Sequence, residues 1–471
     1  MNRSTKIVAT LGPASSSVQM IEKLALAGAN LFRLNFSHGN HDEQAARILA
    51  IRTVEEKIGR PIGILADLQG PKYRIGRLQA DITLNVGTNV CFYLPDNQPS
   101  KLDDVASFIP LPHADIFASL EPKSTILMDD GKLKFSVMKL SAHYVVARLE
   151  NAGTISSQKG VNLPDVTLDV SPLTEKDSVD LDFALECHVD YIALSFVQRA
   201  SDILEARSRI GGRAQIVAKI EKPSALSEID QIIQVADAVM VARGDLGVEL
   251  PAANVPAVQK QLVAKCRQVG KPVIVATQML ESMIVAPTPT RAEASDVAGA
   301  VFEGADAVML SAESAVGAYP EQAVTMMAQI ALSAEAHIQQ NPHDGPGPLQ
   351  VEPSVYHAVA EAAVRLAQTI DAAAIVAFTA SGNTAVRLAR ERPNQPLLVL
   401  SPEPAVERRL SLLWGTQTAH QDESSYEEAV AEAVAQIKLQ GLANRGESIV
   451  LVSGMPFGLA GTTNALRVVT I

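Results

Sequence analysis

The sequence predicts an α/β protein built on a (β/α)8 barrel, with a small β-barrel lid inserted after the third strand and an open α/β domain toward the C-terminal end. Three observations predict this. Eight short apolar runs recur, each followed by a helical stretch. A side chain able to do chemistry stands just past each run. One interval between those side chains is too long for a single βα unit.

The runs are Ile7–Ala9, Leu31–Phe32, Ile62–Leu65, Tyr191–Leu194, Ile216–Ala218, Ala238–Val241, Val273–Ala276 and Ala307–Leu310. They are nearly continuous in apolar residues, without strict alternation, as suits parallel strands covered on both faces. The side chains that follow are Thr10, Arg33, Asp67, Ser195, Lys219, Arg243, Thr277 and Ser311. Successive positions lie 23 to 34 residues apart, except that Asp67 and Ser195 are 128 apart. The barrel is therefore assigned to 1–71 and 168–341, and the insertion to 72–167. Loops at the C-terminal ends of barrel strands carry active sites, so an insertion there would sit over the site. The insertion reads as short strands: Ile82–Leu84, Val90–Tyr93, Ile126–Met128 and Tyr144–Val146. Asp130-Gly131 supplies a hairpin turn. The stretch Gln339–Pro348, rich in Pro and Gly, cannot propagate a helix and marks a joint. The last domain, 342–471, alternates again. Ser354 is expected to cap a helix to about Ile370, with Val355, Val359, Ala362, Ala363 and Leu366 on its apolar face. Strands follow at Ala374–Phe378, Leu397–Leu400, Thr416–Ala419, Ile449–Val452 and Arg467–Thr470.

The chain has 471 residues, 20% charged and 47% apolar, enough for about three domains with buried cores. Lys plus Arg number 40 and Asp plus Glu 52, a net charge of −12. A diffuse nucleic-acid partner is disfavoured, and an anion site must concentrate positive charge, helix N-termini or a metal locally. Three widely spaced cysteines, Cys91, Cys187 and Cys266, form no CxxC pair, which excludes a disulfide scaffold and a thiolate zinc site. Reduced thiols and an N-terminus, Met1 to Lys6, without signal-peptide character point to a cytoplasmic protein. No apolar run approaches the roughly 18 residues of a membrane span.

The strand-end residues are weak signals singly and strong ones together. Alternation puts Lys219 and Glu221 on one face. A cation beside a carboxylate suits phosphoryl transfer, Lys on equatorial oxygens and Glu on Mg2+; a structural ion pair is the plain alternative. In Arg243-Gly244-Asp245, Gly244 admits a close backbone N–H and Asp245 offers a hard oxygen, although an Asp-capped turn has the same composition. Glu221 and Asp245 together make a two-ligand Mg2+ site, the remaining ligands coming from water and substrate. Arg33 can grip a phosphate, while Asn35, Ser37 and Asp67 offer oxygens to a monovalent cation. His38 reads as an orienting imidazole more than a base. Thr277 and Ser311 can carry protons through water or simply satisfy helix N-termini.

Taken in order, these strings resemble the pyruvate kinase family: Thr10-Leu11-Gly12-Pro13, Arg33-Leu34-Asn35-Phe36-Ser37-His38-Gly39, Asp67-Leu68-Gln69-Gly70-Pro71-Lys72, Gly160-Val161-Asn162-Leu163-Pro164, Lys219-Ile220-Glu221, Arg243-Gly244-Asp245-Leu246-Gly247, Ala276-Thr277-Gln278-Met279-Leu280-Glu281, Pro289-Thr290-Arg291-Ala292-Glu293 and Met309-Leu310-Ser311. The resemblance spans the whole chain. It implies transfer of the phosphoryl group of phosphoenolpyruvate to ADP, giving pyruvate and ATP, with Mg2+ or Mn2+. It implies that Glu221 and Asp245 bind the metal, and that Lys219 stabilises the migrating phosphoryl group and the enolate. Backbone N–H groups at Arg243, Gly244 and Asp245 receive the substrate carboxylate. Arg33 and Arg74 hold phosphates, and Thr10, Pro13, His38 and Lys159 match the nucleotide side. Thr277 lies near the carbon that gains a proton, and Ser311 belongs to the relay. A homotetramer is also implied.

Lys72 stands where many members of the family carry Glu, a form that looks K+-dependent. An ammonium near the Asn35, Ser37, Asp67 and Leu68 region can supply the +1 charge of K+, so K+ is expected not to be required; a solvated hinge Lys is the other reading. Ala312 replaces a common Gly, Val316 a common Lys and Gln198 a frequent Arg. Thr379-Ala380-Ser381-Gly382-Asn383-Thr384 lies between a strand and a helix, where hydroxyls and N–H groups can cradle a phosphate. By resemblance it takes a sugar-phosphate effector; a capped helix start is the alternative. Two other classes stay open from the residues: a Mg2+-dependent lyase or aldolase acting on pyruvate enolates, and a non-catalytic sugar-phosphate-binding regulator.

Overall fold

The computed structural model describes residues 3–168, 170–422, 425–458 and 462–471. Met1 and Asn2, part of the N-terminal stretch read above, lie outside the described residues. The barrel strands are Lys6–Leu11, Leu31–Asn35, Gly63–Asp67, Tyr191–Leu194, Gln215–Ile220, Ala238–Ala242, Val273–Ala276 and Ala307–Leu310. They pair in parallel, and the eighth closes on the first with Lys6 opposite Ala307. Each strand buries both faces, which accounts for its continuous apolar run. Ile7, Phe32, Ile64, Ile192, Ile216 and Val308 pack outward against the helices. Val8, Leu65, Val217, Met240, Ile274 and Met309 fill the interior, where Leu412 of the C-terminal domain joins them.

Several strands run further than the apolar runs. The first extends through Thr10, the second through Arg33 and Asn35, the third through Asp67 and the fifth through Lys219. Ladder hydrogen bonding carries the polar tips along: Thr10 sits opposite Arg33, and Asn35 opposite Asp67. The Pro289–Glu293 string proves to be a capping box. Thr290 accepts the Glu293 N–H, and Glu293 accepts from Thr290 N and also from Ser282 N at 2.7 Å.

The chain leaves the barrel after Asp67 and returns before the helix Glu175–Glu186. The returning segment is tied to the loop after the fourth barrel strand, since Leu168 N donates to Gln198 Oε1 and Gln198 Nε2 donates to Leu168 O. The inserted domain is assembled from a six-stranded and a two-stranded sheet sharing one core around Phe92, Ile126, Phe135 and Val145. Asp130-Gly131 does turn a hairpin. Met128 faces Leu133 across the ladder, and Asp129, Asp130 and Gly131 all have positive φ.

The helix Pro320–Gln340 ends at the predicted joint, and the extended chain beyond is pinned by Arg267, whose Nη1 donates to Gly347 O. The C-terminal sheet runs in the order Thr416–His420, Leu397–Ser401, Ala374–Phe378, Ser448–Gly454, Thr463–Thr470, with only the last strand antiparallel. One expectation needs correction. The helix here is Val355–Thr369, and Ser354 precedes it without a side-chain cap bond. Its buried stripe is Ala360, Ala363, Val364 and Ala367, while Val355 and Ala362 are exposed. No described helix is long and apolar enough to cross a membrane.

Candidate active site

The ends of the third, fourth and fifth strands converge on one ammonium. Lys219 Nζ lies 3.1 Å from Asp67 Oδ1 and 3.0 Å from Glu221 Oε1, and donates to Ser195 Oγ at 2.7 Å. Ser195 Oγ in turn donates a hydrogen bond to Leu68 O at 2.7 Å. Arg33 closes the cluster, with Nε 2.6 Å from Asp67 Oδ2 and Nη1 donating to Thr10 Oγ1. All of this is dry: Asp67 and Glu221 side chains are 1% and 2% exposed. Burial opposes the charge on Lys219, but Asp67 and Glu221 outweigh it and hold the ammonium well above its ordinary pKa. Burial likewise opposes Asp67, yet Lys219 and Arg33 keep its carboxyl below the usual range.

Glu221 behaves differently. Burial is the main reason its carboxyl is raised; Lys219 pulls it down, and the nearby Asp245 carboxylate pushes it up again. Phe196 N–H fixes Glu221 by donating to Oε2 at 2.8 Å. Asp245 is half-buried and, among the described residues, no hydrogen bond or ion pair reaches its carboxylate. A desolvated carboxylate facing the field of an unpaired second one is an arrangement that a divalent cation relieves, so the residues fit such an ion.

The sixth to eighth strands supply hydroxyls and a strained turn. Thr277 and Gln278 have φ of 70° and 53°, a left-handed backbone that is costly for a β-branched residue. Arg243 holds that turn: its Nη2 donates to Thr277 O at 2.7 Å and to Gln278 O, and its Nη1 pairs with Asp296 at 2.7 Å. The Arg243 side chain thus points back into the barrel wall. Gly244 N donates to Thr277 Oγ1 at 2.7 Å. Ser311 N and Leu280 N both donate to the buried Glu313, which ties the last two strand ends together.

Toward the insertion, Asn35 Oδ1 accepts from Ser37 N. Pro13, Ser37, His38, Lys72 and Arg74 are exposed. The Lys72 ammonium makes no hydrogen bond or ion pair with Asn35, Ser37 or Asp67. Arg74 and Lys159 stand at the neck of the inserted domain, where its two crossing segments pair: Arg74 bridges Gly160, its Nη1 donates to Gln158 O, and Lys159 Nζ lies 2.7 Å from Asp129 Oδ1. Gly12 lets this side close, since a Cβ there would lie 2.5 Å from Ala315 O.

Two family models cover most of the chain: one described as the pyruvate kinase barrel domain matches residues 2–324, and one described as the pyruvate kinase alpha/beta domain matches residues 357–469. The chain belongs to the pyruvate kinase family. A pyruvate kinase of Agrobacterium vitis is 50% identical over 99% of this chain and 98% of its own length. One of Geobacillus stearothermophilus is 40% identical over 99% of this chain and 80% of its own. A crystal structure of a pyruvate kinase from Cryptosporidium parvum superposes with a TM-score of 0.90 at 32% identity, covering 99% of this chain and 96% of that one. The activity is accordingly that of a pyruvate kinase, a phosphotransferase family that needs a divalent metal.

As a pyruvate kinase, the chain also shows which site residues its sequence did not single out. Ser195 stood among the eight strand-end residues but had no role until Lys219 was seen to bond to it. Glu313 stands two residues past Ser311, and its bonds to Ser311 N and Leu280 N carry no sequence signal. Asp177, which accepts from Gly70 N, carried no signal, because its contact joins residues on opposite sides of the insertion. In the C-terminal loop, Gly382 has φ 90° and its N donates to Thr379 Oγ1. Thr379 and Thr384 are buried, Thr384 against Thr463, while Ser381 and Asn383 are exposed. Ser381, Gly382 and Asn383 border a cavity of about 290 Å3 between this domain and the barrel, with Lys271, Arg387 and Arg409 also in its wall.

Proposed function

We propose that this chain transfers the phosphoryl group of phosphoenolpyruvate to ADP at the C-terminal end of the barrel, giving pyruvate and ATP, with the residues of that cluster in the following roles. The observation that carries the reading is the buried Lys219 ammonium held between Asp67 and Glu221, beside the unpaired carboxylate of Asp245. Lys219 neutralises the charge that moves with the phosphoryl group and the enolate. Glu221 and Asp245 would hold Mg2+ or Mn2+, which when bound adds positive charge and Lewis acidity at the substrate oxygens. The substrate carboxylate takes the N–H groups of Arg243, Gly244 and Asp245. This displaces the Thr277 hydroxyl from Gly244 and frees it to face the carbon that is protonated, with Ser311 further along the relay. Arg33 grips phosphate, and Thr10, Pro13, His38, Arg74 and Lys159 receive the nucleotide.

A coupled assay with phosphoenolpyruvate, ADP and Mg2+ tests this on the parent and on Lys219→Met. The variant is expected to keep its fold and lose turnover by several orders of magnitude; near-parental turnover ends the assignment. Lys72 makes K+ unnecessary: its ammonium, exposed at the entry to the insertion, supplies a mobile +1 charge near Asn35, Ser37, Asp67 and Leu68. Turnover should match in K+ and tetramethylammonium salts, and Lys72→Glu should create K+ dependence. The Thr379–Thr384 loop takes a sugar-phosphate effector, a reading supported by its exposed Ser381 and Asn383 and by the cationic wall of the adjoining cavity. Unchanged cooperativity for phosphoenolpyruvate with glucose 6-phosphate, ribose 5-phosphate, AMP or fructose 1,6-bisphosphate would count against it. The enzyme works in the cytoplasm as a homotetramer, and the exposed Leu466 and Val468 on the edge strand Thr463–Thr470 are available to a second copy.

A further inference from the structure

The string Gly160–Pro164 has no part in the chemistry so far, and Glu249 is a buried carboxylate outside the reacting cluster. They meet. Asn162 Nδ2 donates to Glu249 Oε1 at 3.0 Å, and the same oxygen lies 2.7 Å from Lys222 Nζ. The Glu249 side chain is 1% exposed and its Oε2 has no hydrogen-bond partner. Its placement joins three parts. Asn162 lies two residues past the neck pairing of Arg74 with Gly160. Lys222 directly follows Glu221. Glu249 ends the helix Arg243–Glu249, whose first turn carries Gly244 and Asp245.

The inserted domain touches that helix a second time. A Cβ on Gly131, at the hairpin tip, would lie 3.6 Å from Val248 Cγ1. The tip is bound to the neck, because Asp129 N donates to Gly160 O and Asp129 pairs with Lys159. Neck and tip therefore move as one piece, and both bear on one short helix.

We propose that Glu249 is a positioning residue: it ties the neck of the inserted domain, through Asn162, to the Arg243–Glu249 helix, so that the setting of that domain fixes where Gly244 and Asp245 stand relative to Glu221. This rests on the reading of the site given above. A buried carboxylate shared between a lysine and an amide tolerates little displacement, since any shift leaves a desolvated charge short of a partner. Residues that set the angle of a moving domain change kcat and KM together while lying away from the chemistry.

The test compares the full-length enzyme with Asn162→Ala and Asn162→Asp, which leave the Lys222–Glu249 pair intact. Asn162→Ala is expected to raise KM for ADP and lower kcat, each on the order of three- to tenfold, with melting within about two degrees of the parent. Asn162→Asp, which sets a second carboxylate against Glu249, should do more of both. Hydrogen exchange in 243–249 should rise in both variants. Parental kcat and KM, with or without a fall in melting temperature, would make the contact a packing detail and overturn the proposal. An inactive parent enzyme would instead overturn the reading of the site, and this inference with it.

Discussion

Lys219 illustrates how much of the site depends on what surrounds one atom. Its ammonium donates to Ser195 Oγ and lies 3.1 and 3.0 Å from carboxylate oxygens of Asp67 and Glu221. Ser195 is the neutral partner, so Ser195→Ala removes direction without removing charge. A hydrogen bond to a charged group contributes about 1.5–3 kcal/mol. The variant should lose roughly 10- to 100-fold in kcat with a smaller change in KM for phosphoenolpyruvate, read in the coupled assay. A second residue-scale effect concerns Lys6 at the opposite end of the barrel, where Nζ donates to Thr416 O. Burial, reinforced by Arg3 and Arg60 against the weaker pull of Glu335 and Asp306, lowers its pKa from 10.5 to about 7. Below pH 7 folded and unfolded chains both carry the proton, and the fold bears the full penalty of a buried charge. Between the two values the unfolded chain holds more protons, so stability rises with pH. Lys6→Met should therefore gain melting temperature over the parent at pH 6, and that gain should shrink steadily toward pH 10 in a thermal-shift series; a constant difference would show that Lys6 does not titrate in the fold.

At the scale of the element, the strand ends do different work from the strands. The seventh strand ends in a left-handed turn at Thr277 that it could not hold alone, and the Arg243 guanidinium from the sixth strand's loop anchors it through two carbonyls. Arg243→Lys keeps the charge and loses the fork. It should lower kcat by at least tenfold and destabilise by about 1–3 kcal/mol, measured by turnover and by urea unfolding; unchanged kcat would separate the turn from catalysis. The seam between the barrel and the C-terminal domain is similar. Leu412 is fully buried among Val8, Leu31, Tyr191 and Ile274. Leu412→Ala should cost about 2–5 kcal/mol, seen as earlier unfolding of the barrel in urea, although the residue belongs to the other domain.

For the molecule as a whole, three cores are joined at places where polar groups must be satisfied across a boundary. Arg408 pairs with Glu55, Arg392 with Asp306, and Tyr191 donates to Arg409 O, all between barrel and C-terminal domain. On the other side the insertion rests on Glu249. The barrel is thus gripped at both ends, with the Lys219 cluster at one and the cavity beside the Thr379–Thr384 loop at the other. Cutting the chain at the 342–348 joint should leave a barrel without Leu412 over its open end. Expressed alone, residues 1–341 are expected to aggregate, judged by light scattering; a monodisperse, cooperatively folding fragment would contradict the role given to the seam.

The sequence by itself determined the architecture and which polar residues stand at the strand ends. Eight runs buried on both faces demand a closed parallel barrel, and Thr10, Arg33, Asp67, Lys219 and Thr277 were legible because each polar side chain directly follows an apolar strand run, at the end of the barrel where the loops gather. Local patterns of this kind travel with the chain. Only the tertiary structure decided which groups face one another: that Asp67 serves Arg33 and Lys219 together, that Arg243 turns its side chain away from the cleft, that Val355 rides outside its helix's buried stripe, and that Asn162 finds Glu249. These pairings join residues up to 152 positions apart, and no period or spacing encodes them. Burial and partner choice are set by neighbours in space, which exist only once the barrel has closed.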